Sequence, residues 1–468
     1  YYVLKTVREP LILASAEADL QLVRDTDWPR WLKDVLLDEA GGPQLKAVGA
    51  AFQALMLFAY VPAYAWLAGR ISRTKLIVGV TVFFVVCLQL FFALRLIGVP
   101  MLGFVFYVWL GIFSVSMIAQ FWSFGNDLYT EEQGKRLFPV VGIGATAGAP
   151  LGSKAADWLY GYHAPPAGAD GAPPDLDAFQ RWIRALDLDP SFMLLQVPAV
   201  LLVAYLLLVL WVAARERRRP TPVDGSEARR GPNPPDDPRQ PRTAERSEGP
   251  NVFVQILRSA YRRLIAAVIL ILNLVNTMGE FLLSEVVDGQ AEAMFADEAA
   301  QGAWIGGFYG DFYFFVNLAA LALQMFVVSR LAKYLGLRGV LFALPLVALG
   351  IYSLFTAGLG LAALRWAKTA ENATDYSIMN TGKAMVWLPT SRSAKYRAKQ
   401  AVDTLLVRIG DVVSAVLFLL GTVLLEWGST ALGAVNLALV GLWLVLTFLL
   451  VRQHRRIQDD PDADPASD

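Results

Sequence analysis

Cysteine and histidine are almost missing from this chain of 468 residues, which has one Cys and two His. A lone Cys87 leaves no disulfide framework. His163 and His454 stand apart from any carboxylate or Cys cluster, which argues against a His/Cys metal centre. No G-x-x-x-x-G-K-[ST] phosphate loop is present, and no nucleophile–base constellation stands out. An enzyme is therefore not expected, and no cofactor is called for. Charged residues are scarce too, at 18%, and the 41 basic and 41 acidic side chains cancel. The total charge thus says nothing about partners, although no Lys or Arg occurs from Glu280 to Ser329.

What is present is apolar. Hydrophobic residues make up 56% of the chain and mean hydropathy is +0.45. They arrive in blocks of about 20, the length a helix needs to cross the hydrocarbon core. Twelve spans are predicted, which makes the fold class an all-α polytopic membrane protein. The first six lie near Tyr1–Ala14, Ala47–Ala68, Leu76–Leu94, Met101–Phe124, Leu137–Leu159 and Phe192–Ala213. The second six lie near Leu264–Val286, Tyr309–Leu331, Val340–Ala357, Leu361–Leu388, Ala401–Glu426 and Ala431–Val451. The first span starts inside an apolar run without Met and reads as truncated. Residues 1–213 form one six-span half and 251–456 the other. Between them 214–250, rich in Pro, Arg, Asp, Glu and Gly, reads as a disordered linker, and 457–468 as a tail.

Basic residues predict the orientation. They follow the even-numbered spans: Arg70, Arg73 and Lys75; Lys135 and Arg136; Arg215 and Arg217–Arg219; Arg330, Lys333 and Arg338; Arg392, Lys395, Arg397 and Lys399; Arg452, Arg455 and Arg456. By the positive-inside rule both termini and the linker face the cytoplasm.

A charge at membrane depth costs several kcal/mol, so embedded charges must be paired, wetted or used. Span one carries Lys5, Arg8 and Glu9, whose spacing shares a helical face and leaves an excess of positive charge. Span ten carries Arg365, Lys368, Asn372 and Asp375 on one stripe, with Glu371 able to pair with Lys368 at i+3 or Asp375 at i+4. That stripe lines a cavity or forms an ion-pair ladder between helices. Lys383 sits near the cytoplasmic end, where it reaches the site or snorkels to the headgroups. Span eleven carries Asp403, Arg408 and Asp411, a site or a structural pair; span seven carries Asn273, Asn276 and Glu280 on one face. Asp127 ends span four as a gate or as a solvated terminus. Gln53 and Asn317 read as packing amides, and Gly142, Gly144 and Gly148 as permitting close helix packing. An excess of Lys and Arg suits a phosphate-bearing anion.

The halves echo one another. Trp122-Ser123-Phe124-Gly125-Asn126 parallels Tyr376-Ser377-Ile378-Met379-Asn380, Gly134-Lys135-Arg136 parallels Ala398-Lys399-Gln400, and Thr6-Val7-Arg8-Glu9 parallels Thr277-Met278-Gly279-Glu280. Two parallel six-span repeats with a midplane site fit the major-facilitator plan. The run Phe121–Asp127 followed by Gly134–Pro139 resembles the span-four signature of the non-mitochondrial ATP/ADP translocases. Leu4–Glu9, Leu272–Val275, Tyr376-Ser377 with Lys383, Met385 and Leu388-Pro389, and Lys399 with Asp403, Arg408 and Gly410 resemble further motifs of that family. The resemblance spans nearly the whole chain. It implies a major-facilitator-like exchanger of nucleotides, typically ATP for ADP plus phosphate, in a prokaryotic inner membrane. It places the family's functional basic positions on Lys5, Arg8 and Lys399 and its span-four acid on Asp127. Asn276 stands where the family has Glu, Asp411 where it has Lys, and Asp375 where Lys is usual.

The expected partners are a small anionic substrate, a nucleotide foremost, and the lipid bilayer. No nucleic-acid partner is indicated, and the chain is read as a monomer. Substrate binding is assigned to Lys5, Arg8, Glu9, Asn276, Glu280, Arg365, Lys368, Glu371, Asn372 and Asp375. Gating ion pairs are assigned to Asp127, Lys135, Lys383, Lys399, Asp403, Arg408 and Asp411. Two other readings stay open: a proton-coupled carrier of another organic anion, supported by Asp375 and Asp411, and a non-transporting membrane receptor or scaffold.

Overall fold

The computed structural model describes residues 1–14, 16, 19–21, 41–68, 70–128, 144, 147–160, 178, 181, 190–218, 256–390, 399 and 401–459. Lys135, most of the 214–250 linker and most of the 457–468 tail lie outside the described residues, as does the side chain of Asp127.

Among the described residues the bundle is built of twelve main helices in two halves of six. The first half holds α1 (Tyr2–Leu13), α2 (Gly42–Ala68), α3 (Arg73–Leu96), α4 (Leu102–Leu128), α5 (147–160) and α6 (Pro190–Arg218). The second holds α7 (Ala260–Met294), α8 (Glu298–Phe326), α9 (Val328–Thr356), α10, α11 and α12 (Ser429–Asp459). Helix α10 runs over Leu361–Thr374, widens into a π turn at Asp375–Met379 and resumes at Asn380–Met385. Helix α11 opens with a π turn at Val402–Leu406, continues over Val407–Leu419 and ends in another at Leu420–Leu424. Among the described residues, nine helices are long and apolar enough to cross a membrane. The other three are α1, α5 and α10, the last of which is interrupted and charged.

Local chemistry explains the boundaries. The Ser259 side chain caps α7 by accepting from the Arg262 amide at 3.2 Å, and Asp297 caps α8 by accepting from Ala300 at 2.9 Å. Gly98 (φ 67°) follows α3, and Gly358 (φ 69°) follows α9, where the left-handed backbone stops a helix cheaply. The eighth span, predicted at Tyr309–Leu331, starts eleven residues earlier at Glu298 and breaks at Val327. Its polar, small-residue opening turns hide the helix from a hydropathy reading, whereas the Asp297 cap fixes it. The predicted break before Val340 is a kink inside α9, where Gly336 takes φ 62°, ψ −159°.

Packing separates lipid-facing from buried surface. Exposed Val86, Leu90, Leu207, Leu208, Val445 and Phe448 put an apolar exterior on α3, α6 and α12. Inside, Trp387 and Trp443 are fully buried. The halves meet through α1 on α8 and through α2 on both α7 and α11. The seam is tight where α5 meets α8: a Cβ placed at Gly310 would lie 2.8 Å from the Asp157 backbone, so only glycine admits that approach. The same end of the bundle brings Gly42 of α2 against Asp288 of α7, and Gly302 of α8 against Ala14. Among the described residues the two halves are in close contact at this end. Towards the other end of α10, Tyr376 and Lys383 retain about a third of their surface.

Candidate functional site

Glu9 is the most heavily used carboxylate. Burial is complete, and an ion pair joins it to Arg8 while Lys46 Nζ of α2 lies 2.7 Å from Oε2. Tyr313 of α8 donates its hydroxyl to Oε1 at 3.3 Å, so one carboxylate binds two helices of its own half and reaches the opposite half. Arg8 stacks on the Tyr107 ring of α4, 4.4 Å from the centroid, which supplies a further cation–π contact. Leaving either cation alone at this depth would cost several kcal/mol, so Glu9 holds this corner in one arrangement.

Lys5 differs. No carboxylate lies within ion-pair distance of it among the described residues. Its ammonium donates to the Tyr376 hydroxyl at 3.3 Å and lies 4.1 Å from the Tyr313 ring centroid and 5.6 Å from that of Tyr2. Tyrosines of α8 and α10 therefore bracket an α1 lysine across the seam. Lys5 is part-exposed, so the cation is solvated on one side and held by aromatic faces on the others.

The second half pairs its charges. Lys368 and Glu371, one helical turn apart on α10, are both 0% exposed and lie 2.6 Å apart. Tyr352 of α9 donates to Glu371 Oε1 at 2.9 Å, and Glu280 of α7 lies 3.7 Å from Lys368. Asn372 donates to Glu280 Oε1 at 2.9 Å. A Cβ at Gly279 would meet the Tyr352 hydroxyl at 1.9 Å and Lys368 Nζ at 2.8 Å, so this ladder occupies the space beside α7. Further along, Asp375 receives Asn276 Nδ2 at 3.0 Å and Lys383 Nζ at 3.4 Å. Asp411 receives Arg408 at 2.8 Å, Asn273 at 2.8 Å and Thr277 at 3.0 Å.

A separate network crosses the seam. Arg365 forms an ion pair with Asp311 of α8, and Lys154 of α5 lies 3.9 Å from Asp311 and 2.6 Å from Asp157. Two helices of one half and one of the other are thus tied at the closed end.

The structure divides the predicted stripe of α10. Arg365 serves the seam, Lys368 and Glu371 form a sealed ladder rather than a cavity wall, and Asp375 marks the π turn beside part-exposed Lys383. Glu280 and Asn372 join the ladder, and Asn276 joins Asp375. Lys399 is half-buried, and Asp403 lies in the π turn of α11. Sequence reasoning missed Lys46, Lys154, Asp311, Tyr313 and Tyr352. Asp311 carried a usable signal, a carboxylate inside a predicted span. Among the described residues no group of three His, Cys, Asp or Glu could hold a metal ion.

The twelve-helix, two-half arrangement is that of the major-facilitator fold, and solved structures share it. A bacterial homologue of the human lysosomal transporter Spinster, inward-facing and unoccupied, is similar at TM-score 0.56 and 12% identity, covering 97% of this chain and 95% of that one. A bacterial homologue of the iron transporter ferroportin, inward-facing, gives 0.55 and 16%, covering 96% and 98%. A mutant of the nucleoside transporter NupG gives 0.54 and 13%, covering 96% and 98%. No family model matches the chain, and no curated protein matches it.

Proposed function

We propose that the chain carries a phosphate-bearing organic anion, a nucleotide foremost, across a prokaryotic inner membrane by alternating access and exchange. The observation that carries this reading is Lys5, a part-exposed cation with no carboxylate at ion-pair distance among the described residues, bracketed by tyrosines of both halves, Tyr2 in one and Tyr313 and Tyr376 in the other. In the central constellation, Lys5, Arg8, Lys46, Lys368, Lys383 and Arg408 face Glu9, Glu280, Glu371, Asp375 and Asp411, and Lys5 is the cation left over. An anion supplies its missing partner. Exposed Tyr1 and Tyr376 beside it offer ring faces for a nucleobase.

Exchange follows from cost. Rearranging the halves with Lys5 uncompensated desolvates a bare charge, whereas bound anion neutralises it and lowers that barrier. Outward opening would break the Arg365–Asp311–Lys154 tie. Being closed at that end, the molecule corresponds to an inward-facing state if the termini are cytoplasmic, as the basic residues at even-numbered exits indicate. The fold shared with transporters supports carriage, and the motif resemblance supports a nucleotide as cargo, with the molecule acting as a monomer.

Counterflow in proteoliposomes tests this. Labelled ATP should accumulate only when unlabelled nucleotide is inside, and Lys5→Gln should abolish the accumulation. Uptake driven instead by an imposed pH gradient without internal nucleotide would overturn exchange in favour of a proton-coupled carrier.

A further inference from the structure

We propose that a second site, between α9, the end of α10 and α12, holds the phosphate headgroup of an anionic phospholipid. A cavity of about 590 Å³ opens there. It owes its shape to Gly336, whose φ of 62° and ψ of −159° break α9 and swing its first turns away from the rest of the helix. Arg338, His454, Arg455 and Gln458 supply the polar wall, and among the described residues no Asp or Glu lines it. Arg338 and Arg455 are exposed and form no ion pair among the described residues. His454 is buried and fixed: the Tyr261 hydroxyl donates to the Val386 carbonyl at 2.6 Å and lies 2.7 Å from His454 Nδ1. A Tyr hydroxyl has one proton, so with that donation made Nδ1 is the donor.

Two guanidiniums facing one opening suit a phosphodiester, which Arg grips with paired hydrogen bonds. The lip selects the source. Leu335 and Leu388 are 60% and 64% exposed beside the arginines. Apolar surface next to guanidinium matches the boundary between acyl chains and headgroups. Inorganic phosphate or a free nucleotide could answer the arginines but would leave the leucines wet. A phospholipid covers both. This site is independent of the carried anion at Lys5.

Thermal unfolding of the full chain in neutral detergent tests the proposal, with phosphatidylglycerol, phosphatidylcholine or inorganic phosphate added. Phosphatidylglycerol should raise the midpoint by several degrees, and the other two should not. The double variant Arg338→Gln/Arg455→Gln should lose that shift while keeping its midpoint in phosphatidylcholine. Arg452→Gln/Arg456→Gln removes equal charge from the neighbouring face of α12 and should keep it. Leu388→Trp narrows the lip without changing charge and should weaken the shift. A phosphatidylglycerol shift that survives in the first double variant, or is lost equally in both, overturns the proposal. An equal shift with inorganic phosphate assigns the arginines to a soluble anion instead.

Discussion

Helices α1 and α7 occupy matching positions in the two halves, and their sequences align Glu9 with Glu280 and Arg8 with Gly279. Their solutions differ. In the first half the cation beside the glutamate is on the same helix, as Arg8, with Lys46 added from α2. In the second half the corresponding position is a glycine, and the Tyr352 hydroxyl of α9 with Lys368 of α10 fills the space. Lys368 also meets Glu371 on its own helix, so in the second half one cation serves two carboxylates. In the first half one carboxylate, Glu9, is shared by two cations, and Lys5 is left to the tyrosines. Repeat symmetry fixes where charges can stand, and the asymmetry decides which half offers one to an anion.

The largest expected break in this comparison comes at Glu9. Glu9→Gln strands Arg8 and Lys46 and should destabilise the protein by about 3–5 kcal/mol. Glu280→Gln leaves Lys368 with Glu371 and should cost only about 1–3 kcal/mol. Thermal unfolding in detergent measures both, and equal losses would dissolve the distinction between the halves. Lys5→Gln should do the reverse, leaving the unfolding midpoint nearly unchanged while reducing counterflow at least tenfold. A transport loss that merely tracked instability would remove Lys5 from the site.

Gly310→Val sharpens the comparison at the seam. The added side chain cannot fit against Asp157, so the closed end should be pushed open. Spin-label distances across α5 and α8 should lengthen, with counterflow down by about tenfold, equivalent to about 1.4 kcal/mol. The smallest expected effect is at the ion-pair tie. Arg365→Gln should open the same end partially, by about 0.2–1 kcal/mol for a partly exposed pair, and Asp311→Asn added to it should recover part of the loss. A double variant worse than either single would show that the tie does not act as a unit.

Much of the fold was legible because lipid demands long apolar runs. Among the described residues, eleven of the twelve predicted spans overlap their helices with shifted ends; residues 137–143 of span five lie outside the described residues. Span eight was misplaced because Glu298 and Gln301 dilute the hydropathy of its first turns, which face the opposite half rather than lipid. Charge identities were legible, but pairings were not. Lys46 was placed just outside span two, read from Ala47, although Pro43 near the helix start could have put the lysine inside. Tyr313 and Tyr352 look like packing residues in an apolar run, and only tertiary contact turns their hydroxyls into partners for Glu9 and Glu371. The ladder-or-cavity question on α10 depended on what α7 and α9 bring to Lys368, which no local pattern encodes.

The π turn at Asp375–Met379 has a consequence for helix register. In an uninterrupted α-helix, position i+7 returns to the face of i, while i+8 lies about 80° round. The wide turn absorbs one additional residue, so Lys383, eight positions after Asp375, arrives where the seventh would stand and meets its carboxylate. That ion pair depends on the extra residue held in the π turn. Removing one residue after Asp375 within the turn would restore an α turn and leave Lys383 seven positions on, still on the Asp375 face; regularising the turn without a deletion would carry Lys383 about 80° off it.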